Sequence, residues 1–114
     1  MIKQIKLEYE SKPLIRNEGS SVQLNCGIGV YPLNLTSYFQ WYFVAKGQSK
    51  QTLIRENVDY VTLEDSFIKY SYLNLKNLAR KDTGIYICRN EKSDEVNELK
   101  VDLNVHGNHY DLAL

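Results

Sequence analysis

Few side chains in this sequence can carry bond-making or metal chemistry, and their spacing narrows what that chemistry is. Cys26 and Cys88 are its two cysteines. They can remain buried thiols, which pack as small hydrophobes, or they can join to each other. Joining would close a loop of roughly 60 residues, a closure worth roughly 4 kcal/mol on a chain-entropy argument and so a large share of a small domain's stability. A structural metal needs more thiols or a placed histidine pair. The two histidines, His106 and His109, stand in the tail "HGNHYDLAL" and read as solvated residues, so no metal site and no cofactor are expected. The acid pairs Glu64-Asp65 and Asp94-Glu95 are sequence neighbours within polar turns, as solvated loop charge usually is. There is no nucleophile with a base at motif spacing, no glycine-rich phosphate loop and no G-x-S-x-G turn. No catalytic residue is therefore assigned, and the chain is not expected to be an enzyme.

The 114 residues amount to one domain with one modest core. Fourteen basic and fourteen acidic residues cancel, which removes the electrostatic case for nucleic acid or an anionic membrane as partner. No apolar run approaches the length that spans a bilayer. No charged-then-apolar leader opens the chain, so a secreted parent is expected to carry its leader upstream of Met1.

The elements that must position the cysteines read as short strands. In "SSVQLNC", Val22, Leu24 and Cys26 share one face while Ser21, Gln23 and Asn25 share the other. "YFQWYFV" puts Phe39, Trp41 and Phe43 in phase, and "YSYLNLKNL" puts Leu73 and Leu75 opposite Tyr72 and Asn74. "NELKVDLNV" alternates most cleanly, with Leu99, Val101, Leu103 and Val105 against polar neighbours. Turn chemistry separates these runs at Asn17-Glu18-Gly19, Lys46-Gly47-Gln48 and Lys92-Ser93-Asp94. Helical periodicity is nowhere sustained, although "NLARKDT" can form one short turn. Short alternating strands with turns between them predict an all-β antiparallel sandwich or barrel.

"DTGIYIC", residues 82–88, sets Asp82, Gly84, Tyr86 and Cys88 at alternate positions, and Trp41 lies 15 residues after Cys26. This pattern resembles the immunoglobulin fold, a two-sheet Greek-key sandwich. The resemblance implies an inter-sheet Cys26–Cys88 disulfide with Trp41 packed on it. It also implies a tyrosine corner in which the Tyr86 hydroxyl bonds backbone close to Asp82. Gly84 is expected to leave room for the Tyr86 ring, and Asp82 to hydrogen-bond within the turn after Leu78. The likeness runs from residue 9 to 105, so residues 1–105 are read as one domain and 106–114 as the start of a stalk or linker.

"WYFVAKGQSKQTLI" is similar to the variable-type pattern, through Trp41, Tyr42, Gly47, Leu53 and Ile54. Arg55 to Asp65 leave space for a C″ strand and a short D strand. Two features depart from the pattern. "VDYVTLEDS" has no arginine to pair with Asp82, and "NELKVDLNV" lacks the Phe-Gly-x-Gly of joining segments. The expectation is a germline-encoded variable-type domain rather than a rearranged antibody or T-cell-receptor chain, with the intermediate set as the alternative.

Function on this fold must come from surfaces. Opposite Trp41, strand C carries Gln40, Tyr42 and Val44; opposite Tyr86 and Cys88, strand F carries Ile85 and Ile87. In the variable-type topology these share the GFCC′ sheet. An apolar patch there, extended by Tyr38 and Ile54, is expected to be an interface, and a two-fold homodimer is the predicted assembly, with Gln40 bonding its own copy. The competing reading is an ordinary face covered by Lys50, Gln51 and the C′ loop. "LNLKNLARKDTGIYIC" and "NELK" are similar to the alpha chains of the T-cell co-receptor for class I MHC. That likeness implies a cell-surface ectodomain that meets a protein ligand on another cell, class I MHC included, through its end loops. Tyr31, Arg55, Arg89 and Lys92 would make the contacts, and the membrane would be reached only through a segment beyond this sequence. "NLT" makes Asn34 a glycosylation acceptor. An adhesion or ligand-binding domain of another receptor, or a structural immunoglobulin module, is the alternative.

Overall fold

The computed structural model describes residues 2–7, 13–31, 39–63, 68–90 and 97–107. Among these residues nine strands form two sheets: β1 (Ile2–Leu7), β2 (Leu14–Asn17), β3 (Val22–Tyr31), β4 (Phe39–Ala45), β5 (Thr52–Ile54), β6 (Val58–Leu63), β7 (Ile68–Leu75), β8 (Gly84–Asn90) and β9 (Asn97–His106). One sheet has the order β1-β3-β7-β6 and the other β2-β9-β8-β4-β5. A 3₁₀ turn, Arg80–Asp82, stands where "NLARKDT" was expected to turn.

The alternation read from the sequence sets which side chains meet between the sheets. Val22, Leu24, Cys26, Trp41, Leu73, Leu78, Tyr86, Cys88, Val101, Leu103 and Val105 form the buried cluster. Cys26 and Cys88 are joined across the gap, with Cα atoms 6.6 Å apart. Trp41 pairs in register with Cys88, and its indole N–H donates to Ser71 Oγ at 2.8 Å. Ser71 pairs in register with Cys26, so a hydrogen bond and a covalent bond cross the same gap side by side.

The corner before β8 is held by polar bonds. The Tyr86 hydroxyl donates to the Asp82 carbonyl at 2.7 Å, and the Asp82 carboxylate accepts the Ala79 N–H at 2.8 Å. Burial pushes the Tyr86 phenol well above its usual range, and the negative charge of Asp82 adds to the shift. Gly84 leaves room for something other than the Tyr86 ring. A Cβ there would collide with the Val44 carbonyl and would lie 2.7 Å from the Phe43 ring edge. Phe43 in turn packs on Tyr86 with centroids 4.7 Å apart.

Three further features differ from the sequence reading. β1, absent from the sequence reading, pairs with β3 from Ile2↔Tyr31 to Leu7↔Cys26. Between Arg55 and Asp65 the described residues hold one strand, β6, and it bonds to β7 in the D position; no C″ strand is present among them. Strand β9 continues through His106, one residue past the expected domain boundary. Residues 108–114, the expected stalk with His109, lie outside the described residues.

Candidate recognition surface

The outer faces of the two sheets differ in chemistry. On the four-stranded sheet, Gln23 Nε2 donates to Asn74 Oδ1 at 2.8 Å, and Asn74 Nδ2 donates to Asp59 Oδ2 at 2.9 Å. That is the polar outer face expected of a half-buried antiparallel sheet. The five-stranded sheet instead places Tyr42, Val44, Leu53, Ile85 and Ile87 on its outer side, because each is out of phase with the inward-facing Trp41, Ile54, Tyr86 or Cys88.

Only part of this apolar set is open. Ile85 is 37% exposed, and Ile15, on the outer side of edge strand β2, is 57% exposed. Ile87, expected on the patch, is 2% exposed. It lies on a central strand between Tyr42 and Lys100 in register, and these long neighbours stand between it and water. Above it, Arg89 ties three strands together. Its Nε donates to Glu98 Oε2 at 2.8 Å and its Nη2 to Gln51 Oε1 at 2.9 Å, and its guanidinium carbon lies 4.6 Å from the Tyr42 ring centroid. Of the residues in the competing reading, Gln51 reaches this face through its bond to Arg89, while Lys50 is exposed.

Ile54 is also corrected. It pairs with Trp41 and packs against the core, while Leu53 pairs with Tyr42 on the outer face. A one-residue slip in a strand moves every side chain to the other side, and Leu53 is the face residue that the sequence reading missed. Gln40 is half-buried opposite Arg89. Val44 is half-buried opposite Ile85.

Of the expected loop contacts, Arg55 is exposed, just before the Asn57 position whose φ is 62°. Arg89 belongs to β8 rather than to the F–G loop, and its guanidinium is engaged on the sheet face. Tyr31 ends β3 opposite Ile2. Asn34, Tyr38 and Lys92 lie outside the described residues. Among the described residues no group of His, Cys, Asp and Glu is arranged to hold a metal, and no helix is long and apolar enough to cross a membrane.

The two sheets, the bridged cysteines, the tryptophan beside them and the tyrosine corner define an immunoglobulin-type domain. The immunoglobulin V-set domain family model matches residues 9–106, and the chain belongs to that family. It is similar to human T cell receptor gamma variable 4, 28% identical over 99 residues that cover 75% of this chain and 81% of the relative. It is likewise similar to human T cell receptor gamma variable 3, at 29% identity over the same length and shares. A human probable non-functional T cell receptor gamma variable is 31% identical over 94 residues, covering 72% of this chain and 78% of that one. In family lettering, β4, β5, β8 and β9 are C, C′, F and G. The disulfide is consistent with a secreted or cell-surface location, since such bonds persist in oxidising compartments.

Proposed function

We propose that this chain is the non-enzymatic recognition domain of a cell-surface immune receptor, which pairs through the outer face of its GFCC′ sheet and meets a protein ligand with its end loops. The observation that carries the reading is the asymmetry between the two outer faces. One is a polar ladder through Gln23, Asn74 and Asp59; the other presents Val44, Leu53 and Ile85 beside a polar lattice centred on Arg89. An apolar patch rimmed by fixed polar groups is the usual anatomy of an interface. Kinship with T cell receptor variable domains supports the immune setting.

The assembly is a two-fold homodimer, and the ligand is a protein on an apposed cell, of the class I MHC kind. Arg55, Tyr31 and Lys92 make the loop contacts, and Arg89 shapes the pairing face. Asn34 carries a glycan. Binding of the purified domain to immobilised class I MHC protein tests the ligand assignment. Replacing Arg55 and Lys92 together with alanine is expected to weaken that binding by more than about 1 kcal/mol if they anchor it. Absence of binding by the wild-type domain overturns the ligand assignment.

A further inference from the structure

Two opposite charges stand at one end of the GFCC′ face without meeting. Lys46, in the β4–β5 turn, and Asp102, on β9, are the charged residues in the described lining of an open depression of about 280 Å³, which Val44 and Ile85 also line. Both are exposed, and no ion pair joins them within the chain. The register gives the reason. Val44, Ile85 and Asp102 form one row across β4, β8 and β9, so β8 stands between the two charges and keeps their strands about 10 Å apart. Lys46 has the parity of Val44, and its N–H donates to the Thr83 carbonyl at 3.1 Å, which holds the turn beside the start of β8. We propose that Lys46 and Asp102 are the two halves of a reciprocal ion pair between two copies of this chain, around a two-fold axis that runs along β8. The proposal rests on pairing through the GFCC′ face and adds to it the charges that choose the partner and its direction.

In a two-fold contact, residue i of one copy meets j of the other and j meets i. An axis along β8, the middle strand of its sheet, stacks the exposed Ile85 on its own copy and lays β9 over β4 of the other copy. Asp102 then faces the end of β4 that leads into Lys46, and the contact is made twice. The other rows meet without a clash of like charges, since Lys100 falls over Tyr42 and Glu98 over Gln40 by the same registers. An axis through Ile85 across the strands instead lays β9 over β9 and sets Asp102 against its own copy. The charges therefore favour the first arrangement over the second. Ion pairs in open water contribute little. Here Val44 and Ile85 of both copies would exclude water around the pair, which strengthens the attraction of unlike charges and the penalty on like ones.

The test is an exchange of charges read by sedimentation equilibrium. Lys46→Glu and Asp102→Lys each turn both contacts into like-charge contacts, and each alone should weaken the homodimer roughly ten-fold. An equimolar mixture of the two variants should recover the wild-type dimer. In that mixture the native Lys46 of one chain meets the native Asp102 of the other, and the two introduced charges meet each other. Both positions are exposed, so thermal unfolding should be unchanged. Asp102→Asn, which keeps the size of the side chain, should weaken the dimer roughly three-fold and lower its salt dependence. A wild-type dimer unaltered by both single exchanges, or a mixture no tighter than its components, overturns the proposal and leaves pairing through the face standing. Tighter pairing of wild type with Asp102→Lys than of wild type with itself shows β9 on β9 and overturns it too. A wild-type monomer overturns the pairing reading itself, and the proposal with it.

Discussion

The indole nitrogen of Trp41 and the hydroxyl oxygen of Ser71 lie 2.8 Å apart in the buried gap between the sheets. Ser71 is fully enclosed and is the one buried polar residue among those described. Removing its hydroxyl leaves an indole N–H desolvated and unpaired, a loss of about 1–3 kcal/mol. Ser71→Ala is expected to lower the unfolding free energy by that amount, read as a lower urea midpoint at unchanged slope. A shift below about 0.5 kcal/mol would mean that the bond contributes only what water returns to it.

Gly84 tests the tight approach of β4 and β8. A methyl group at this position meets the Val44 carbonyl and the Phe43 ring, and relief requires the two strands to part at the Ala45↔Gly84 pair. Overpacking of this kind costs about 1–3 kcal/mol or more. Gly84→Ala is expected to show that loss in thermal unfolding, together with altered near-ultraviolet dichroism from the Phe43–Tyr86 pair. Wild-type stability in Gly84→Ala would show that the strands adjust freely.

Tyr86 predicts an alkaline limit. Its folded-state pKa is raised, first by burial and second by Asp82, whereas an unfolded tyrosine loses its proton near pH 10. The folded chain therefore holds the proton more tightly. Its contribution to stability is complete below about pH 10 and falls as pH rises above it. Tyr86→Phe is expected to cost about 0.5–1.5 kcal/mol at neutral pH, through the lost bond to Asp82, and to flatten the decline above about pH 10. An identical alkaline decline in wild type and Tyr86→Phe would locate the sensitivity in another group.

Much of the core was legible because its strands alternate over many residues. Val22, Leu24 and Cys26, and likewise Leu99 through Val105, carry a period of two that admits one inward set. The places that could not be read are those where the period fails. β5 has three residues, and the adjacent Leu53 and Ile54 give no phase, so the wrong one was assigned to the surface. β1 reads "IKQIKL", in which Ile2 and Ile5 fall on opposite sides of a strand. The burial of Ile87 depends on Tyr42 and Lys100 from the neighbouring strands, and the capture of Arg89 on Gln51 and Glu98, brought from two other segments. Ser71 looks like any polar strand residue until Trp41 is placed opposite it.

Pairing through the outer face of the GFCC′ sheet is tested most directly by sedimentation equilibrium at micromolar concentration. Val44, Leu53 and Ile85 are already partly covered, so pairing adds less for each than the full-burial value of about 1.5–3 kcal/mol, before association is offset. A two-fold contact lets one patch serve both copies. Wild type is expected to sediment as a dimer, and Ile85→Glu as a monomer with an unchanged melting temperature. A wild-type monomer would contradict the homodimer. If Ile85→Glu and Val44→Glu also left capture of other V-type chains unaltered, pairing through this face would be refuted altogether.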